Sequence, residues 1–273
     1  MRRPAPFPFL AAEPGDPTPD AQAVIVGLAT DGGVSFRPGA VEAPAKVREF
    51  SDSIETWSQR AKRDLDDLSV VDAGDVSSRE EIAAEVDALV AAAPRALLVS
   101  IGGDHSVTPP TVGAVAKHHS DLAVVGFDAH LDLREDYPGD HACTYRYIAD
   151  RGVPCFVFGP RSGARTEWED VPKVLSHYSL GLEMPPSVRT ELAGRPVYVT
   201  IDIDVLDPSV APGTGTPEAG GPGFNELLEA IEALQGLDVV ACDVVEIAPP
   251  LDPSGITQAL GALLVRELIL RFA

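Results

Sequence analysis

Short apolar runs alternate with longer amphipathic stretches along the chain, and this alternation predicts its architecture. Nearly continuous runs, rich in β-branched residues, fall at 23–28, 68–71, 96–101, 122–127, 155–158, 196–201 and 237–245. Strands without polar alternation are covered on both faces, so helices must flank the sheet on each side. Helix-period patterns fall at 43–62, 79–93, 109–118, 224–234 and 256–272. Strands and helices in this order predict an α/β protein of three layers, α/β/α, with a mostly parallel central sheet. No internal repeat or long linker divides residues 1–273, which read as a single domain. Residues 1–20, with Pro and Asp concentrated in 13–20, read as a loose N-terminal arm.

Composition narrows the class. Hydrophobic residues make up 45% and charged residues 23%, which excludes a disordered chain. A single domain of this length buries ~75% of its unfolded surface, so its core needs no covalent staple. The three cysteines, Cys143, Cys155 and Cys242, show no CxxC spacing, which argues against a disulfide framework or a thiolate zinc cluster. With 42 acidic against 21 basic residues, the net charge is -21. Such a chain repels nucleic acid and anionic membrane surfaces, so neither is an expected partner. No apolar run approaches the ~18 residues of a membrane span. The stretch after Met1-Arg2-Arg3 is too short and too proline-rich for a secretory core, so a cytoplasmic location is expected.

Candidate chemistry gathers where the strands end. GGDHS follows the strand at 96–101, DAHLD follows 122–127, DIDVLDP follows 196–201, and Glu246 follows 237–245. In an open parallel sheet, ligands bind at the carboxyl ends of the strands. Alternate residues of an extended segment face one way, so Asp128, His130 and Asp132 are expected to converge, as are Asp202 and Asp204. With His105 they form a set of six candidate metal ligands. Its four carboxylates need four compensating positive charges, which two divalent cations supply. Without metal they would raise one another's pKa. Oxygen-rich ligands with two imidazoles favour manganese (Mn²⁺) over zinc. Each motif has a plainer explanation: GGDHS as a glycine turn with a helix cap, and the second pair as a strand end before Asp207-Pro208. Three such groups on separate strand ends make the plain explanations poor ones.

The succession GGDHS, DAHLD, DIDVLDPSVAPGTGTPEAGG and VEIAPPLDPSGIT resembles the ureohydrolase (arginase/agmatinase) family over roughly residues 23–272. The opening segment GLATDGGVSFRPGAVEAPAKVRE is similar too, with Val41 and Ala43 where the family usually carries arginine and glycine. The resemblance implies an arginase-like fold, two Mn²⁺ ions, and a homotrimer or homohexamer. It places one ion on His105, Asp128, Asp132 and Asp202, and the other on His130, Asp128, Asp202 and Asp204. It implies that Asp132 accepts a proton from the attacking water, that His141 passes one to the leaving amine, and that Glu246 pairs with the guanidinium.

Relatives of this kind differ in the loops that read the substrate tail. The loop at 133–140, LREDYPGD, carries three acids and one base, which favours a small cationic guanidino substrate. Arg161 and Arg165 in the next loop could instead clamp a carboxylate. The expected reaction is therefore agmatine to putrescine and urea. Alternatives are another ureohydrolase (guanidino acid hydrolase, arginase or formimidoylglutamase) or a non-catalytic metal-binding regulator on the same fold.

Overall fold

The computed structural model describes residues 2–135 and 139–273. In chain order its elements are β1 (Glu13–Pro14), β2 (Ala23–Leu28), α1 (Ala43–Ser51), β3 (Trp57–Ser58), β4 (Arg63–Asp64), β5 (Val70–Val76), α2 (Arg79–Ala92), β6 (Leu97–Ile101), α3 (Thr108–Val115) and β7 (Ala123–Phe127). They continue with α4 (Thr144–Ala149), β8 (Cys155–Phe158), α5 (Arg165–Val174), β9 (His177–Ser179), α6 (Pro186–Leu192), β10 (Pro196–Asp202), α7 (Phe224–Glu232), β11 (Asp238–Val245) and α8 (Ile256–Phe272). Nine strands form one sheet in the order β1-β5-β2-β6-β11-β10-β7-β8-β9. Every neighbouring pair in it is parallel. The expected α/β class and three-layer arrangement are what the chain adopts.

The two cores follow from side-chain alternation along the strands. Ile25, Val99, Val125 and Val199 point into a core shared with α1, α6, α7 and α8. Their neighbours Val24, Leu98, Val124 and Tyr198 point into the opposite core, shared with α2, α3, α4 and α5. The strand order doubles back in sequence among β6, β11, β10 and β7, the four central strands. Their carboxyl ends carry GGDHS, Glu246, DIDVLDP and DAHLD respectively, so all the candidate chemistry meets at one switch point.

Three boundaries differ from expectation. Helix α1 stops at Ser51 rather than 62. Ser51 and Ser53 turn their hydroxyls back onto the carbonyls of Arg48 and Phe50, which competes with helix propagation. The chain then makes the small antiparallel pair β3–β4. Strand β5 runs to Val76 rather than 71, through Asp72 and Asp75. Both acids are paired with the buried Arg48, at 2.7 and 2.6 Å. The N-terminal arm is not loose. It joins the sheet edge as β1, buries Phe9 and hydrogen-bonds Phe9 N to Asp72 Oδ2 at 2.9 Å.

Asp72 thus holds both α1 and the arm. Replacing it with Ala leaves the buried Arg48 guanidinium with Asp75 in place of two carboxylate partners, and Asp72→Ala should cost about 3 kcal/mol. Chemical denaturation checks this; an unchanged midpoint would assign the arm and α1 to other contacts.

Candidate metal centre and active site

His105 begins a short turn after β6. Asp104 caps that turn, its Oδ1 accepting from Ser106 N at 2.9 Å, so the plain explanation of GGDHS holds for Asp104 but leaves His105 unexplained. His105 is fully buried. Its Nδ1 lies 3.2 Å from Asp128 Oδ2, 3.2 Å from Asp132 Oδ2 and 3.4 Å from Asp202 Oδ2. Its Nε2 meets Thr200 Oγ1 at 2.9 Å. Such an outer partner is what orients a metal-ligating imidazole.

Asp128, His130 and Asp132 do not lie on a straight strand, because β7 ends at Phe127. Asp132 turns into the left-handed region, with φ 47°, and rejoins Asp128 beside His105. His130 instead places Nδ1 2.9 Å from Asp204 Oδ2 and 3.9 Å from Asp128 Oδ1. Two triads result, His105–Asp128–Asp132 and Asp128–His130–Asp204, and they share Asp128. Asp202 ends β10, faces His105, and accepts from Asp204 N at 2.9 Å. The structure therefore brings all six expected ligands together.

Such a carboxylate cluster must be neutralised. Burial opposes charge on His105, but Asp128 and Asp132 overcome it and hold its pKa well above the usual range. Burial likewise opposes charge on His130, and Asp204 overcomes it, pushing the pKa up to about 10. Burial and the charge of Asp128 push Asp132 up to about 6, against the pull of His105. Burial and the charge of Asp204 raise Asp202 strongly. Protons thus stand where cations would. Nδ1 of His105 and Oδ2 of Asp128, though close, meet too obliquely to bond. Both are buried without a hydrogen-bond partner among the described residues. Two orphaned donor atoms facing each other in an Asp/His set are what a divalent ion satisfies.

Tyr145 packs edge-on to His105, with ring centroids 5.5 Å apart. A Cβ at Gly126 would lie 2.2 Å from the Tyr145 hydroxyl, so only glycine leaves room for this ring beside β7.

His141 and Glu246 form one unit. Nδ1 of His141 lies 2.8 Å from Glu246 Oε1, and that oxygen also accepts from His105 N at 2.7 Å. On its other edge, Nε2 of His141 meets Ser35 Oγ at 2.7 Å. Burial disfavours charge on His141, but the hydrogen bond and charge of Glu246 prevail and push its pKa up to about 9. Glu246 adopts φ 63°, also in the left-handed region. Two strained non-glycine residues, at roughly 1–3 kcal/mol each, mark a site whose surroundings over-determine it. A Cβ at Gly215 would stand 3.0 Å from Arg37 O, tighter than an ordinary contact, so glycine lets this loop close against Arg37.

Above these groups opens a cavity of about 910 Å³, lined by Asp132, Asp202, Asp204, His130 and His141 below and by Ser35, Arg37, Arg134 and Glu218 above. None of the four upper residues belongs to the metal motifs, and Arg134 is the base of the loop at 133–140. Ser35 and Arg37 lie in the opening segment quoted for the resemblance, and Glu218 lies in the GTGTPEAGG loop. Arg161 is not available to clamp a carboxylate. Its guanidinium donates to the carbonyls of Gly159, Asp204, Val205 and Glu218. Arg165 points into solvent beside Glu169. In the loop at 133–140, Glu135 pairs with Arg146 at 3.1 Å and Asp140 caps the turn at 141–143. Asp136, Tyr137 and Pro138 lie outside the described residues.

Comparison with known proteins adds the following. Residues 21–270 match the Arginase family. An agmatinase of Bacillus cereus is 41% identical over 92% of this chain and 92% of its own. A mitochondrial guanidino acid hydrolase of Homo sapiens is 34% identical over 90% of this chain and 77% of its own. The solved structure of proclavaminate amidino hydrolase from Streptomyces clavuligerus superposes with a TM-score of 0.86, at 32% identity, over 98% of this chain and 97% of that one.

Proposed function

The chain belongs to the arginase family, and on that premise we propose that it is a binuclear manganese hydrolase converting agmatine to putrescine and urea. The observation that carries this reading is the pair of triads sharing Asp128 at the floor of the cavity. His105, Asp128, Asp132 and Asp202 would hold one Mn²⁺, and His130, Asp128, Asp202 and Asp204 the other. When bound, the two ions would supply Lewis acidity and make a water acidic enough to attack at neutral pH. The whole chain acts as one ureohydrolase domain. A cytoplasmic homotrimer or homohexamer, as expected of the family, completes the proposal. No helix among the described residues is long and apolar enough to cross a membrane.

The protein's own groups divide the remaining work. Glu246 binds the guanidinium through Oε2 while Oε1 holds His141. Asp132, which lines the cavity floor, takes the proton of the attacking water. His141 donates a proton from Nε2 to the departing nitrogen, so that urea and an amine leave. Around the cavity, the acids Asp140, Glu167 and Glu218 outnumber Arg37 and Arg134, which favours a cationic tail. Urea release from agmatine, arginine and 4-guanidinobutyrate with added Mn²⁺ tests the assignment. Agmatine should give the highest kcat/KM; a higher value for 4-guanidinobutyrate would replace it with a guanidino acid.

The His141–Glu246 pair has a pH signature. A histidine whose pKa is raised from 6.5 to about 9 adds stability that is complete below 6.5 and lost as pH rises through about 9. In metal-free protein, an NMR titration of the His141 ring should show this raised value. Glu246→Gln should bring it down. An unchanged titration in that variant would show that Glu246 does not hold the proton.

A further inference from the structure

Within the reading of a guanidine that carries a cationic tail, we infer that Glu218 is the residue that binds the ammonium end of the substrate. Its backbone is fixed. Arg161 donates to Glu218 O at 2.7 Å and to Asp204 O at 2.9 Å, so one buried-edge guanidinium ties the 218 turn to the strand end bearing Asp202 and Asp204. The side chain is fixed at one oxygen only. Ser162 Oγ donates to Glu218 Oε1 at 2.7 Å, while Oε2 has no partner among the described residues.

It stands on the wall close to the floor. Glu218 Oε1 stands 3.8 Å from His130 Nε2, and the opposite edge of that ring, Nδ1, meets Asp204 at 2.9 Å. The carboxylate is thus one imidazole ring away from the candidate metal centre, on the cavity wall. At 3.8 Å it makes no hydrogen bond to His130, so orienting that ring is not its task in this geometry. The other wall carboxylates have work already. Glu167 is 5% exposed and accepts from Leu133 N and Ala164 N. Asp140 accepts from Ala142 N and stands beside His141. Glu218 keeps 40% of its side-chain surface open and carries its charge toward the cavity. An anion held in place before binding loses little freedom when an ammonium arrives, which is how a fixed carboxylate converts charge into selectivity.

The test compares two guanidines with the same four-carbon chain, agmatine and n-butylguanidine, which lacks the terminal ammonium. Mn²⁺-loaded wild type and Glu218→Gln are assayed on both, with metal content measured and butane-1,4-diamine binding followed by calorimetry. Glu218→Gln should lower kcat/KM for agmatine by about 10–100-fold, mainly through KM, because tail binding is the same in ground and transition states. Butylguanidine turnover should stay within about 3-fold of wild type, since it never used the charge. Diamine binding should weaken with agmatine, and metal content should not change. Equal losses on both guanidines would overturn the inference and make Glu218 a partner of His130. Full activity on agmatine would place the tail reader elsewhere. Wild type releasing no urea from either compound would instead defeat the hydrolase reading, and this inference with it.

Discussion

Asp128→Ala should remove at least one metal ion per chain and lower urea formation by ~10³-fold or more, because it deletes the ligand common to both triads. Asp128 is fully buried, 3.2 Å from one imidazole and 3.9 Å from the other. Asp132 and Asp204 cannot substitute for it, since each already faces one of those rings, and Asp202 is itself assigned to both ions. The protein should still fold, because the deletion relieves repulsion among acids whose burial and mutual charge already raise Asp132 and Asp202. Metal analysis beside circular dichroism checks this. A folded variant that keeps two ions would mean that Asp128 is not the shared ligand.

His141→Asn should lower kcat by ~10²–10⁴-fold while leaving the metal content intact. The imidazole lies between Glu246 Oε1 and Ser35 Oγ, with bonds of 2.8 and 2.7 Å, and it borders the cavity. Asparagine can occupy much of that space and keep one bond, but it cannot carry a proton at any working pH. The loss should therefore fall on kcat rather than KM. Activity within a few-fold of wild type would make His141 a structural neighbour of Glu246.

Much of this site is legible in the chain because the sheet is built from apolar runs that stop abruptly at polar residues. Where AVVGF meets DAHLD, or VYVTI meets DID, the strand end and the ligand are the same signal. Spacing alone places Asp128 and Asp132 together. It misses the left-handed turn at Asp132 and the different aim of His130, because a period of two assumes a strand that continues. The extent of β5 is hidden for a related reason. Asp72 and Asp75 look like turn residues until Arg48, 24 and 27 positions earlier, is seen to neutralise them. Pairings such as Ser35 with His141, or His141 with Glu246, join segments 106 and 105 residues apart, and no local pattern announces them. The same holds for Glu218. Its loop carries no periodicity, and its place on the wall depends on Arg161, a residue whose position in sequence suggests a clamp for substrate rather than a staple for the backbone.

The most direct test of the central claim is product analysis with agmatine, using protein loaded with Mn²⁺ and the same protein after chelation. Urea and putrescine should form in equal amounts, formation should cease on chelation, and added Mn²⁺ should restore it with two ions bound per chain. Loaded, folded protein that releases no urea from agmatine, arginine or 4-guanidinobutyrate would contradict the account.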